Sequence, residues 1–153
     1  MLERERKFVL KEMPSNCDSF IEIEQGYIMQ DSGKILRIRI IEGTESFICF
    51  KSYNNITDRQ EFEYSIPIED AKELMLNHTY IVLKKKRYSF FYNDRDTKHT
   101  VIVDIDVYED GTKTVELEYV HLLKEIPEFC GEEVTGKKEW SNIEIAKRIK
   151  FGV

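Results

Sequence analysis

Charged residues recur at alternate positions along this 153-residue chain: Glu3, Glu5 and Lys7; Arg37 and Arg39; Lys51; Arg59, Glu61 and Glu63; Lys85 and Arg87; Asp104 and Asp106; Glu116 and Glu118. Side chains at i and i+2 of a strand share a face. Each stretch therefore sends its charges to one surface, while residues such as Leu36, Ile38, Ile40, Phe62 and Tyr64 take the other. The set holds eight acids and seven bases, near enough to balance for pairing to neutralise it. Arginine forks match phosphate oxygens bidentately and lysines act as point charges. Lys7, Arg37, Arg39, Lys51, Lys85 and Arg87 gathered in one cavity would suit a multiply charged anion with extended oxygen geometry. Glu3, Glu5, Glu116 and Glu118 offer hard oxygen ligands for Mg²⁺ or Mn²⁺. Bases, acids and a divalent ion are the recurring parts of phosphoryl transfer, in which a carboxylate orients or deprotonates the attacking water.

Positioning those groups falls to strands. Period-2 alternation predicts strands over residues 2–10, 24–29, 34–42, 46–52, 59–66, 80–91, 100–109 and 113–122. Asp31-Ser32-Gly33, Glu42-Gly43-Thr44 and Asp110-Gly111 read as hairpin turns, with Asp-Gly the strongest signal because both central positions of a type I′ turn need positive φ. Helices are expected over 68–77, after Pro67, and after Ser141, where Ser141 to Glu144 forms a capping box ahead of Ile145, Ala146 and Ile149. A weaker helical signal covers 15–22. The fold class is α+β, mainly β: an eight-stranded antiparallel closed β-barrel with a few flanking helices, one domain over residues 1–153.

Strand one decides which face is inside. Residues Glu3 to Lys7 are charged on both faces, so no apolar side is left to bury, and a terminal segment of that kind would fray. It makes sense if one face looks into a wet polar tunnel and the other into water, since unpaired charges are not cheaply desolvated. Any single pair reads as an ordinary solvated cross-strand pair. Repetition on seven of eight strands argues for the tunnel, whose apolar exterior then needs covering by helices and long side chains.

Composition narrows the partners. Charged residues make up 34% of the chain and the net charge is −6, a poor match to non-specific binding along nucleic acid. Cys17, Cys49 and Cys130 are odd in number and far apart, which disfavours a disulfide scaffold or zinc site and fits a reducing, cytoplasmic setting. No apolar run has the length to span a membrane, and the charged start does not resemble a secretory leader. The expected partner is a small, multiply charged anion, not nucleic acid or membrane, and the expected state is a monomer or homodimer. The run Lys84 to Arg87 is split between two faces by strand alternation, His99 and His121 show no metal spacing, and Trp140 is expected to anchor the last helix by packing.

The order of motifs resembles the CYTH superfamily, the triphosphate tunnel metalloenzymes. Its signature Glu-x-Glu-x-Lys is here Glu3-Arg4-Glu5-Arg6-Lys7, followed by Gln25-Gly26-Tyr27, Arg37-Ile38-Arg39, Lys51, Arg59-Gln60-Glu61-Phe62-Glu63, Lys85-Lys86-Arg87-Tyr88, Asp104-Ile105-Asp106, Glu116-Leu117-Glu118 and Gly131-Glu132-Glu133-Val134-Thr135. The resemblance implies an eight-stranded tunnel, a Mg²⁺ or Mn²⁺ cofactor and a triphosphate substrate. By it, Lys7, Arg37, Arg39, Lys51, Arg59, Lys85 and Arg87 would cradle phosphates. Glu5, Glu116 and Glu118 would hold the main metal, with Asp104 and Asp106 near it. Glu3, Glu61 or Glu63 would position water or a second metal, Lys7 would join the catalytic group, and the C-terminal helix would plug or gate one mouth. One departure is Cys49, where family members often carry Thr two positions before the lysine. Implied activities are hydrolysis of inorganic tripolyphosphate with nucleoside triphosphates as side substrates, then a class IV adenylate cyclase, thiamine triphosphatase, or a polyphosphate binder without turnover. Tyr27, Tyr88 and Phe90 are the aromatic residues an organic substrate would want at the mouth.

Overall fold

Alternating residues with short turns between them fold as a chain of antiparallel hairpins. The computed structural model describes residues 2–53, 58–94, 98–119 and 124–152, with the side chains of Leu2, Glu3, Asp58 and Arg59 outside that description. The expected roles of the Glu3 and Arg59 side chains, and of His121, thus lie outside the described residues.

Among the described residues there are nine strands: β1 Leu2–Leu10, β2 Ile21–Asp31, β3 Lys34–Ile41, β4 Glu45–Tyr53, β5 Asp58–Ser65, β6 Ile81–Asn93, β7 Thr100–Tyr108, β8 Lys113–Glu118 and β9 Cys130–Glu133. Helix α1, Ile68–Asn77, joins β5 to β6, and a 3₁₀ turn, Lys138–Trp140, leads into α2, Asn142–Phe151. The sheet order is β5-β4-β3-β2-β6-β7-β8-β1-β9. β1 also pairs with β5 through Leu2, Glu3 and Arg4, so eight strands complete a ring. β1 pairs with β8 through Glu5 to Val9 and with β9 through Phe8 and Leu10.

The charged alternation faces inward. Arg37, Lys51, Lys85, Asp106 and Glu116 are buried in the ring, while Ile38, Val103, Ile105, Val115 and Leu117 point outward. Two coverings hide the outer apolar face. Helix α1 lays Ala71 and Met75 on Ile38 and Ile40. Gly26 makes that contact possible, because a Cβ there would stand 2.4 Å from Met75 Sδ and 2.6 Å from a Thr79 methyl. Across β7 and β8, Phe8, Val103, Ile105, Val115 and Leu117 lie beneath Cys17 and Phe129 from the connecting segments and Cys130 at the start of β9.

Three expectations need correction. Residues 15–22 do not form a helix: Ile21 and Glu22 are drawn into the β2 ladder opposite Arg87 and Lys86, and Cys17 packs on the barrel wall. The strand Cys130–Glu133 was not expected at all. The lumen is also not uniformly charged, since Tyr27, Ile35, Ile81, Leu83 and Tyr108 line one end and receive Ile143, Ile145 and Ala146 of α2. That helix closes the end as an apolar plug, capped by Ser141 Oγ accepting from the Glu144 N–H at 3.3 Å. Turn chemistry also differs in detail. Ser32-Gly33 and Glu42-Gly43 have positive φ at both positions, whereas at Asp110-Gly111 only the glycine does.

Candidate active site

Strand register sets the lumen in rows. Lys7 faces Glu116, and Glu116 faces Asp104. Glu5 faces Glu118 one row along. On the other wall Tyr27 faces Arg37, Arg37 faces Cys49, Cys49 faces Glu63, and Lys51 faces Glu61. Arg87 faces Asp106. The repeated alternation thus becomes a ring of cations and carboxylates, with a cavity of about 510 Å³ bounded by Glu5, Lys7, Arg37, Lys51, Glu116 and the first residues of α2.

The cations are held to different degrees. Asp106 is engaged at both oxygens, by Arg87 Nε at 2.7 Å on one and by Lys85 Nζ at 2.7 Å and an Arg87 Nη at 2.9 Å on the other. Lys85 and Asp106 have no exposed side-chain surface, so this cluster is a sealed support, with only Arg87 reaching outward, to Asp104 at 3.5 Å. Gln25 plays a similar part for Arg39. Its Oε1 accepts from that guanidinium at 2.7 and 3.1 Å, while its Nε2 donates to the Tyr27 hydroxyl.

Arg37, Lys51 and Lys7 stand farther from their carboxylates, though Lys7 Nζ also donates to the Trp140 carbonyl at 2.6 Å. Arg37 stands 3.5 Å from Glu61 and 3.9 Å from Glu63, Lys51 is 3.8 Å from Glu61, and Lys7 is 3.7 Å from Glu116. Arg37 is 2% exposed, yet its Nε has no hydrogen-bond partner. A buried donor left unmade is costly, and this one belongs to a guanidinium that lines the cavity.

Electrostatics follow from burial and neighbours. Burial pulls Lys85 down to about 7 against the opposing pull of Asp106. Burial, then the Arg37 and Arg87 cations, lower Arg39 to about 10. Burial alone would raise Glu116, but Lys7, Arg87 and Lys85 bring it down to about 2, so it stays ionised. The Cys49 thiol is pushed up to about 11, chiefly by burial, and its Sγ lies 3.1 Å from Glu61 Oε1 as a donor.

For a divalent ion, the donors on hand are hard carboxylate oxygens. Glu116 is held ionised, and Glu5 faces Glu118 in the adjoining row, but these three are not a converged ligand group among the described residues. Among the described residues, Cys49, Glu61 and Glu63 bring ligand atoms within 4.8 Å of one another. The chain therefore has an acidic group that can hold a metal, and its carboxylates suit a hard ion better than its protonated thiol does.

A family model for the CYTH domain matches residues 1–144. The chain belongs to the CYTH family. An inorganic triphosphatase of Nitrosomonas europaea is 30% identical over 97% of this CYTH chain and 99% of its own length. Another from Acetivibrio thermocellus is 28% identical over 95% and 93%. A crystal structure of an inorganic triphosphatase superposes with a TM-score of 0.65 at 27% identity, covering 94% of this chain and 93% of that one. A conserved hypothetical protein of Pyrococcus furiosus, 23% identical over 78% and 80%, shares the fold at a TM-score of 0.61.

The structure brings Lys7, Arg37, Arg39, Lys51, Arg87, Glu61, Glu63 and Glu116 to one lumen, and it encloses Lys85 and Asp106 behind them. Asp104 is tied to Ser89 and Arg87. Tyr27 is buried in the apolar end, while Tyr88 and Phe90 belong to the outer cluster. Lys84 and Lys86 face outward, Lys84 toward Glu24 and Lys86 over Phe20. Gln25 and Asn142 were missed as site residues. Gln25 offered a signal, being a polar residue in phase with Ile23 and Tyr27. Asn142 offered none, because it reads as an ordinary first-turn helix residue.

Proposed function

We propose that this chain hydrolyses inorganic tripolyphosphate, with nucleoside triphosphates as slower substrates and Mg²⁺ or Mn²⁺ as cofactor. The observation that carries this reading is the buried Arg37, whose Nε has no partner, in a lumen it shares with Lys7, Lys51, Arg39 and Arg87. The names of the curated relatives point the same way. Arg37, Lys51 and Lys7 line the cavity and take phosphate oxygens directly. Arg39 and Arg87 are aimed by Gln25 and Asp106, and Lys85 keeps Asp106 in place. Glu5, Glu116 and Glu118 would hold the ion, which when bound neutralises phosphate charge and polarises the P–O bond. Glu61 and Glu63 orient the water that attacks phosphorus as the P–O–P anhydride bond breaks, and the departing phosphate leaves with the bridging oxygen. The cytoplasm suits three cysteines that are all free.

The deciding experiment incubates the protein with tripolyphosphate or ATP, each with Mg²⁺, Mn²⁺ or EDTA, and follows phosphate, pyrophosphate and cyclic AMP. Metal-dependent phosphate release, faster from tripolyphosphate than from ATP, is expected. Cyclic AMP with pyrophosphate from ATP, or no turnover of either substrate, would overturn the proposal.

A further inference from the structure

Asn142 opens helix α2 and lines the same cavity as Lys7, Arg37, Lys51 and Glu116. Its Oδ1 accepts from two donors, the Tyr108 hydroxyl and, at 3.4 Å, Lys85 Nζ. Lysine ammonium has donors and no acceptor, so the side of the amide facing Lys85 must be its oxygen. The amide is thereby locked, and its Nδ2 points away from Lys85 and Tyr108. The backbone around it is anchored independently, by the Ser141 cap and by Ile143, Ile145 and Ala146 in the apolar plug. Next to it, the Trp140 carbonyl accepts from Lys7 Nζ at 2.6 Å, so the segment that carries Asn142 already touches a cavity cation.

We propose that Asn142 is a substrate-binding residue whose Nδ2 donates to an oxygen of the bound triphosphate. The inference rests on reading the lumen as a triphosphate site. It adds a neutral donor from the C-terminal helix to cations supplied by the strands. Neutrality matters: the amide donates to an anion without adding another cation to a lumen where burial, and then the Arg37 and Arg87 cations, already depress Arg39. It also makes the plug helix part of the site and not merely a stopper for the apolar end.

Two variants separate binding from support. Asn142→Asp keeps an acceptor oxygen for Lys85 and Tyr108 but replaces the donor with an anionic oxygen. Asn142→Leu keeps similar volume without charge and loses both functions. The measurements are KM and kcat for tripolyphosphate, tripolyphosphate affinity by calorimetry in EDTA, and the thermal midpoint. Loss of one hydrogen bond to a charged ligand is about tenfold in affinity. Both variants should raise KM and weaken metal-free binding by about tenfold or more, with kcat little changed and the Asp variant melting no lower than wild type. A Leu variant that binds like wild type would overturn the proposal, as would an Asp variant that binds normally, since only support would then matter. Wild-type protein that neither binds nor hydrolyses tripolyphosphate would instead overturn the reading of the lumen, and this inference with it.

Discussion

Replacing Asp106 by Asn tests whether the sealed Lys85–Asp106–Arg87 cluster is what the geometry says it is. Asp106 is fully enclosed and is the shared anion of two cations, each at 2.7 Å. Removing one partner of a buried ion pair costs roughly 3–5 kcal/mol, because the charge left behind is neither solvated nor paired. Lys85 has a way out, which gives the cost a pH dependence. Its folded pKa lies near 7, lowered by burial, against about 10.4 for an unfolded lysine. Between those values the unfolded chain binds more protons, so stability tied to Lys85 rises with pH across that window. The groups facing Lys85 are Asp106, Arg87, Arg39, Glu116, Tyr108 and Asn142. Without the Asp106 charge its pKa falls further, and the ammonium is shed at lower pH. Asp106 itself, held well below the usual carboxylate range despite burial, stays ionised above pH 5 in the wild type. The loss in Asp106→Asn is therefore larger at pH 6 than at pH 9, shrinking between them by up to about 1.4 kcal/mol, one pKa unit's worth. Urea unfolding of both proteins at pH 6 and pH 9 measures it. Should Asp106→Asn alone fail to fold, the double variant Lys85→Met with Asp106→Asn supplies the comparison, because removing the stranded ammonium recovers part of the loss. A loss under about 1 kcal/mol at pH 6, or the same loss at both pH values, would refute the reasoning.

Two further outcomes follow from the site and its scaffold. Glu116→Gln removes a carboxylate brought down to about 2 by Lys7, Arg87 and Lys85 against burial, so turnover with Mg²⁺ or Mn²⁺ should fall to the level seen in EDTA; wild-type rates would remove Glu116 from the metal site. Gly26→Ala drives a methyl against Met75 Sδ and Thr79, and overpacking there should cost about 1–3 kcal/mol by urea unfolding with the KM for tripolyphosphate unchanged.

Much of this was legible because strand periodicity is rigid. A residue two places from Lys85 must share its face, so Arg87 could be placed inside and Lys84 and Lys86 outside from spacing alone, as the structure has it. Other local signals identified the helices, α1 by its composition after Pro67 and α2 by its apolar spacing and Ser141 cap. Residues 15–22 failed because their helical composition competes with a non-local ladder, and the pairing of Ile21 with Arg87 spans most of β6 and cannot be seen in a window. The strand Cys130–Glu133 was hidden for a similar reason, since only the unclaimed edge of β1 makes it a strand.

Within the site, alternation gives the face but not the depth. Lys85 and Arg87 look equivalent as sequence, yet one is sealed with Asp106 and the other reaches Asp104. What separates them is α2, which arrives from the far end of the chain and fills the half of the lumen nearest Lys85 with Ile143, Ile145 and Ala146. A barrel with charges at every inward position would hold only water and ions at its centre. By closing one end with apolar side chains, the chain removes solvent from behind Lys85, Asp106 and Arg39, and the interactions among them strengthen as the local dielectric falls. The apolar plug and the charged ring are thus parts of one device. The plug lets a few ion pairs hold guanidiniums rigidly, and on the proposed reading they are thereby preorganised for phosphate oxygens.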